Sequence, residues 1–252
     1  MIFLWVAVFL FVMLLYRLRG VLAVMSSEQN MKVGDYDGAI RKLRWLGLGR
    51  PNALILHKRG LVLSLSGRPR EAVECYRKAL AASQKGPRYP RERLHACLGY
   101  ALLDLARYDE AEQCFHHAIE QGDHTGNSQD GLAEIRLAQG IEPEKALSYA
   151  GQAIQHAKRR TDGRIPGSYF AHQAWALALL GRTEEARESL VLALSVPEQN
   201  NRNSASLHWR AGMVLLAMNQ TKEANDHFQL AHNADPRGKY GNRALELLRQ
   251  HA

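Results

Sequence analysis

A repeat of two amphipathic helical stretches separated by a turn occurs six times between Val33 and Pro236 of this 252-residue chain. The second stretch of each copy opens with Ala, most clearly at Ala72, Ala111 and Ala224. Two helices of this length cannot bury their apolar faces alone, so consecutive copies are expected to stack and share one core. The repeat therefore predicts a helical solenoid rather than a non-repetitive bundle.

Each of these clear copies pairs a small residue on its first helix with an aromatic residue on its second. A Gly lies twelve residues before the Ala, and the aromatic residue lies four residues after it, one helical turn on and on the same face. The Gly lets two backbones approach closely, and the aromatic ring fills the space between neighbouring units. The pairs are Gly60 with Tyr76, Gly99 with Phe115, and Gly212 with Phe228.

Turn-forming residues separate the two helices of a unit, and the residues that follow them favour a helix start. The turn residues are Gly34, Gly67, Gly140, Gly181 and Asn219. The fourth copy has one extra residue in its turn. Other surplus residues fall in the predicted loops at 84–90, 158–168 and 196–204.

These motifs resemble the tetratricopeptide repeat (TPR) family, most closely at Leu98, Gly99, Ala111, Phe115 and Ala118. The family's Trp on the first helix is missing from every copy. Successive key Ala residues are 33 to 40 residues apart, where the family keeps about 34. The resemblance covers roughly residues 20–236. It implies an all-α fold, a right-handed TPR-like α-solenoid of about six helix pairs.

The solenoid is predicted to occupy residues 21–252. Its repeats are expected at about 21–52, 53–86, 91–122, 126–157, 167–197 and 205–236, followed by a C-terminal capping helix at 240–251. A terminal unit needs an outer face that tolerates water. We therefore expect Leu247 and Leu248 of the capping helix to face the stack, and Arg243 to face solvent.

A run of fifteen uncharged residues at 2–16, of which eleven are Leu, Ile, Val or Phe, predicts a membrane segment. Those eleven favour insertion by roughly 3 to 7 kcal/mol. As a helix the run is only about 22 Å long. Arg17 and Arg19 can snorkel, however, and residues 21–25 are apolar again. We predict one transmembrane helix within residues 1–20, ahead of the solenoid.

Charge around this segment predicts its orientation. No basic side chain precedes the run, which favours an uncleaved anchor over a secretion signal. Six basic residues follow it through Arg44, so the positive-inside rule puts the repeats in the cytoplasm. Three cysteines without a CxxC pair also suit a reducing compartment. The expectation is a single-pass membrane protein with a cytoplasmic TPR domain.

Catalytic motifs are absent from the sequence, which has no HExxH, no Walker-type phosphate loop, no GxSxG and no complete GxGxxG. Cys114, His116 and His117 form the one Cys/His grouping, and they do not point the same way on a helix. We therefore expect no enzyme activity, no cofactor and no metal. The net charge of +8 comes from basic clusters in separate units with acidic residues between them. That pattern favours solvated faces over a nucleic-acid surface.

In the TPR family, the first helix of each pair lines a concave groove, and the family's groove positions imply partner-binding residues here. Mapped onto this sequence they are His57, Leu61, Arg93, Tyr100, Asp104, Asn127, Asp130, Glu134, His172, Trp175, Trp209 and Met213. The two Trp residues would anchor a peptide if exposed, and otherwise they pack between helices. The family's Lys/Asn clamp for a terminal carboxylate is not matched.

The resemblance implies a membrane-anchored scaffold or adaptor that binds another protein or a peptide in its groove. Anchor, Arg pair and TPR array are arranged as in the lipopolysaccharide assembly protein B family. That family's C-terminal metal module with paired CxxC motifs is missing here, so its function is not transferred. The alternatives are an envelope assembly factor with repeats facing the periplasm or exterior, and a membrane-tethered nucleic-acid binder. Homo-oligomer formation is left open.

Overall fold

The computed structural model of the protein describes residues 24–46, 52–84, 89–160, 163–197 and 200–250, together with Trp5. Trp5 is the single described residue of the predicted membrane segment at 2–16, so that prediction lies outside the described part of the chain. Among the described residues, no helix combines the length and the apolar character needed to cross a membrane.

All regular elements of the described part are helices, and they follow one another in pairs. They are α1 (24–32), α2 (Tyr36–Leu46), α3 (Ala53–Leu65), α4 (Pro69–Ser83), α5 (Arg91–Leu103), α6 (Tyr108–Glu120), α7 (Asn127–Gln139), α8 (Pro143–Lys158), α9 (Gly167–Leu179), α10 (Thr183–Ser195), α11 (Asn201–Ala217), α12 (Thr221–Ala234) and α13 (Lys239–Gln250). The predicted all-α solenoid is confirmed for these residues.

The helices stack in a regular order. In the second to sixth units the first helices are α3, α5, α7, α9 and α11, and the helix after each is the second helix of the same unit. Each first helix packs against its own second helix and against the neighbouring first helices. Second helices contact the first helix of the following unit. The first helices therefore form one continuous inner face, which is the concave side of a solenoid.

Every unit turns in the same way between its two helices. One residue adopts a left-handed conformation, with φ between 56° and 74°, and the next amide bonds back across the helix end, as Arg68 N does to Leu63 O at 2.8 Å. This is the Schellman geometry that favours Gly. The residues are Gly34, Gly67, Ala106, Gly140, Gly181 and Asn219. The sequence predicted five of these turns and missed Ala106.

Aromatic rings fill the space between units where glycines leave room. Phe115 is fully buried between Gly99 and Gly131. A Cβ atom on Gly99 would lie 2.8 Å from the ring, and one on Gly131 would lie 2.2 Å from it. Phe228 meets Gly212 in the same way. The close approach expected from the Gly–aromatic spacing is thus the packing unit of the solenoid.

The two ends of the described solenoid meet. The hydroxyl of Tyr36, at the start of α2, donates a hydrogen bond to Asp235, which directly follows α12. At the C-terminal end, the fully buried Ala244 of α13, together with Leu247 and Leu248, packs against the core of α11 and α12. Arg243 of α13 instead points inward to Asp104, so the expectation that it faces solvent is wrong.

Candidate binding groove

Seven charged or titratable side chains meet on the concave side, and we call them the central polar cluster. They come from the end of α5, from α7, α9 and α11, and from α13. The members are Asp104, Asp130, Glu134, His172, Arg210, Lys239 and Arg243. Four of them were predicted groove positions, and Arg210, Lys239 and Arg243 were not. The three carboxylates face three side chains that carry a fixed positive charge.

A chain of hydrogen bonds joins three units through His172. Nδ1 of His172 lies 2.7 Å from an oxygen of Asp130, and Nε of Arg210 lies 2.8 Å from Nε2 of His172. A guanidinium can only donate, so Nε2 must accept and Nδ1 must carry the proton. His172 therefore bridges the fourth and sixth units, and its two neighbours fix the orientation of its ring.

Glu134 and Arg210 form a buried ion pair at 3.0 Å, with both side chains 4% exposed. Burial alone would oppose ionisation of Glu134, but the charges of Arg210, Lys239 and Arg243, together with His172, lower its pKa to about 2. Burial likewise opposes the charge on Arg210. Tyr240 and the carboxylates of Glu134 and Asp130 nevertheless raise the pKa of this guanidinium. Both groups stay charged because each stabilises the other.

Asp104 is the point at which α13 reaches across the groove. Lys239 Nζ lies 3.0 Å from one Asp104 oxygen, and Arg243 Nη2 lies 3.1 Å from the same oxygen. The Asp104 side chain is 3% exposed. Burial opposes the charge on Lys239, but the Asp104 carboxylate outweighs this and raises the pKa of the ammonium group.

Aromatic side chains form one wall beside this cluster. Trp175 is buried, and Trp209 is partly buried against the same core. Their ring centroids are 6.2 Å apart in an edge-to-face arrangement, and Trp209 lies 5.5 Å from the ring of Tyr240. Arg243 lies over the Trp209 ring at 5.6 Å, and Lys239 over that of Tyr240 at 4.4 Å. Met213 packs against the same core.

Tyr100 and Asn127 connect the third and fourth units next to this wall. The Tyr100 hydroxyl donates to the backbone oxygen of Asn127 at 2.7 Å and lies 3.2 Å from Asp130. The Tyr169 hydroxyl donates to the Asn127 side chain at 2.9 Å. Asn127 itself is exposed. It lies at the edge of the groove, where a partner can reach it.

The remaining predicted groove residues lie near the first units. His57 is buried, with Nδ1 2.6 Å from the Tyr89 hydroxyl and Nε2 3.5 Å from Sγ of Cys97. Burial, together with the charges of Lys58 and Arg93, lowers the pKa of His57 to about 4. Arg93 is exposed and Leu61 is partly exposed. The structure thus separates these three residues from the central polar cluster, and their role in binding stays a prediction.

An open cavity of about 410 Å³ lies between α13 and the turn that joins α3 to α4. Its lining includes Ser66, Gly67 and Pro69 from that turn, Asp104 at the end of α5, and Asn242 and Leu245 of α13. Among the described residues, no three His, Cys, Asp or Glu side chains come together in a way that could hold a metal ion. The groove therefore offers charge, hydrogen bonds and aromatic surface to a ligand.

The sequence profile of the tetratricopeptide repeat family matches residues 53–85 and 93–121. No curated protein sequence matches the chain. Together with the stacked helix pairs, the profile match defines TPR repeats in an α-solenoid. The class of protein expected from the motifs is thus confirmed at the level of repeat and fold.

Solved structures with a similar fold include NprR in complex with its cognate peptide NprX, at 16% identity and a TM-score of 0.67, over 90% of this chain and 70% of that one. A chain of the APC/C hetero-tetramer Cut9–Hcn1 matches at 14% identity and a TM-score of 0.64, over 90% of this chain but only 42% of that one. PilF of Pseudomonas aeruginosa matches at 19% identity and a TM-score of 0.55, over 90% and 97%. At these identities the likeness extends to the fold alone.

Proposed function

We propose that this protein is a scaffold or adaptor that binds a segment of another protein, or a peptide, on the concave side of its TPR solenoid, and that it catalyses no reaction. The observation that carries the proposal is that five first helices and α13 bring charged and aromatic side chains to one inner surface. Peptide binding by the similarly folded NprR, which was solved with its peptide NprX, supports the same kind of ligand.

Several predicted groove residues are suited to contact such a partner. Arg93 and Asn127 are exposed, and Leu61 and Met213 are partly exposed. A partner is expected to bind these side chains and the cavity beside α13, because aromatic and charged groups in a concave pocket supply most of the affinity of such interfaces. The buried members of the central polar cluster would then hold the groove in shape.

Photo-cross-linking tests this proposal in cells that make the full chain. A photo-reactive residue at position 61, on α3, is expected to give a discrete adduct with a partner protein. The matched control is position 78 on α4, because Lys78 is exposed on the second helix of the same unit. Equal adducts at the two positions, or an adduct at position 78 alone, would contradict binding in the groove.

A membrane anchor at residues 2–16, with the repeats in the cytoplasm, belongs to the same proposal. The uncharged run and the basic residues that follow it support this placement. The chain is expected to stay in the membrane fraction after an alkaline wash, and a chain without residues 2–16 is expected to be released. An active phosphatase fused to the C-terminus would favour the envelope assembly factor with repeats outside the cytoplasm.

The nucleic-acid alternative finds no support in the groove. Its inner surface holds the carboxylates of Asp104, Asp130 and Glu134. The cations of the central polar cluster are paired with these carboxylates and are not gathered as an unpaired basic surface, whereas nucleic-acid binding surfaces collect Lys and Arg on one face.

A further inference from the structure

Two kinds of contact hold α13 on the concave side. The first is apolar, between Ala244, Leu247 and Leu248 and the core of α11 and α12. The second is polar and reaches across the groove, from Lys239 and Arg243 to Asp104 at the end of α5. A helix that only ended the stack would need the first kind alone. The second kind resembles the way in which a ligand fills a groove.

Asp104 determines which charge a segment bound at this surface needs to carry. Its buried side chain has two cationic partners among the described residues, and both belong to α13. If α13 left, Asp104 would lose both of its counter-charges and would face the open groove as an unpaired carboxylate. Any segment that replaces α13 must therefore bring positive charge to Asp104.

The spacing of the α13 contacts adds a geometric requirement. Lys239 and Arg243 are four residues apart, so a helix presents them on one face, one turn apart. Tyr240 lies next to Lys239, and its hydroxyl accepts a hydrogen bond from Arg210 at 3.0 Å while its ring contacts Trp209. The groove thus selects a helix with the pattern Lys-aromatic-x-x-Arg.

Few residues of α13 are buried, which suits this helix to displacement by another segment. Only Gly241 and Ala244 of this helix are fully buried. Its other side adjoins the open cavity of about 410 Å³ beside Ser66 and Gly67. A terminal helix with few buried contacts opens at lower cost than the interior of the stack, and the cavity leaves room for an incoming segment to make first contact.

We propose that the concave surface under α13 is a binding site for a cationic helical segment of a partner protein with a Lys-aromatic-x-x-Arg pattern, and that α13 occupies this site until such a segment replaces it. The inference rests on the proposed function and narrows its partner to one chemical class. Charge complementarity carries it, because without α13 the central polar cluster holds three carboxylates against the single guanidinium of Arg210.

A fluorescent peptide copying residues 235–250 is the probe, titrated by anisotropy onto the full chain in detergent. The variant Lys239→Ala/Arg243→Ala removes the contacts to Asp104 from the resident helix. It is expected to bind the peptide about ten-fold more tightly than the wild type, because the site is then free more of the time. A peptide with Ala in place of the two corresponding cations should not bind, and adding Asp104→Asn to the variant should remove the gain.

The matched control is Lys222→Ala/Arg237→Ala, which removes the same charges from exposed positions on and after α12. It should bind the peptide as the wild type does. Equal binding by the control and the Lys239/Arg243 variant, or a gain that survives Asp104→Asn, would overturn the inference. A Lys239→Ala/Arg243→Ala variant that takes up no peptide would overturn it as well.

Hydrogen exchange on the wild type covers the case in which the Lys239/Arg243 variant fails to fold. Saturating peptide should speed exchange in α13 and leave α7 unchanged, and an unaffected α13 would also overturn the inference.

The experiments distinguish failure of this inference from failure of the proposed function. A cross-link at position 61 without peptide binding removes this inference alone, and peptide binding without any cross-linked partner removes the proposed function alone.

Discussion

Glu134 of α7 and Arg210 of α11 form a buried ion pair at 3.0 Å, although 76 residues separate them in the chain. The pair spans the whole of the fifth unit, whose His172 lies between Asp130 and Arg210. First helices two units apart can touch in this way only where the inner face is tightly curved. The central polar cluster therefore links non-adjacent units and stabilises the curvature of the groove.

Replacing Arg210 with Met is expected to lower the free energy of unfolding by about 3 to 5 kcal/mol, because it leaves the Glu134 carboxylate buried without a partner. Urea denaturation of the full chain measures this. Arg182→Met is the control, since Arg182 pairs with Glu185 at 2.6 Å on the surface, where water screens the charges and loss of the pair changes stability little. Similar losses in the two variants would show that the cluster does not stabilise the fold.

Gly131→Ala is expected to destabilise the protein by about 1 to 3 kcal/mol, since overpacking a filled core costs that much. The added Cβ would lie 2.2 Å from the ring of Phe115. Combining it with Phe115→Leu should cost less than the sum of the two single losses. Gly151 on α8 has open space around its Cβ position, so Gly151→Ala should instead gain up to about 1 kcal/mol. Thermal unfolding of Gly131→Ala, Phe115→Leu, their combination and Gly151→Ala measures these differences, and equal effects of the two Gly→Ala changes would contradict the packing account.

Ala106→Gly is expected to stabilise the protein by about 1 kcal/mol, because Ala106 has a φ of 56° in a turn that favours Gly. The reverse change, Gly67→Ala, should destabilise the equivalent turn of the second unit by a similar amount. Gly67 has a φ of 74° and nothing within 4 Å of its Cβ position, so its effect comes from the backbone alone. A loss of stability in Ala106→Gly would contradict this account.

The sequence was sufficient to predict the repeat, because its signal is local. Gly99 and Phe115 lie at a fixed spacing that only a helix pair explains, and the structure packs one against the other. Gly131 of the fourth unit packs against the same ring, but it lies fifteen residues before Ala146 instead of twelve, and Phe115 belongs to the preceding unit. The spacing within one unit marks the contact between its own two helices, and it does not mark a contact between neighbouring units.

The groove was harder to predict, because its contacts join residues that are distant in the chain. Positions such as Asp130 and His172 followed from the family pattern on first helices. Arg210 lay one residue beyond the predicted Trp209, and no local pattern marked it as the partner of Glu134. Nothing in the sequence of α13 indicated that Lys239 would reach Asp104, because that contact depends on the curvature of the whole stack.

The pH dependence of stability offers a test at His57. This residue is buried, and burial together with the charges of Lys58 and Arg93 lowers its pKa from 6.5 to about 4. The folded state therefore binds the proton less well than the unfolded state does. The contribution of neutral His57 is complete above pH 6.5 and is lost as the pH falls toward about 4.

His57→Gln is expected to lose less stability than the wild type when the pH falls from about 6.5 to about 4.5. The difference should reach about 2 kcal/mol, since each pKa unit corresponds to about 1.4 kcal/mol. Gln can still form a hydrogen bond with the Tyr89 hydroxyl, so the comparison separates the effect of protonating His57 from the loss of that hydrogen bond. Urea midpoints across this range measure the slope, and the control is His124→Gln at an exposed position. Equal slopes in the wild type and His57→Gln would mean that His57 can be protonated without strain in the folded protein.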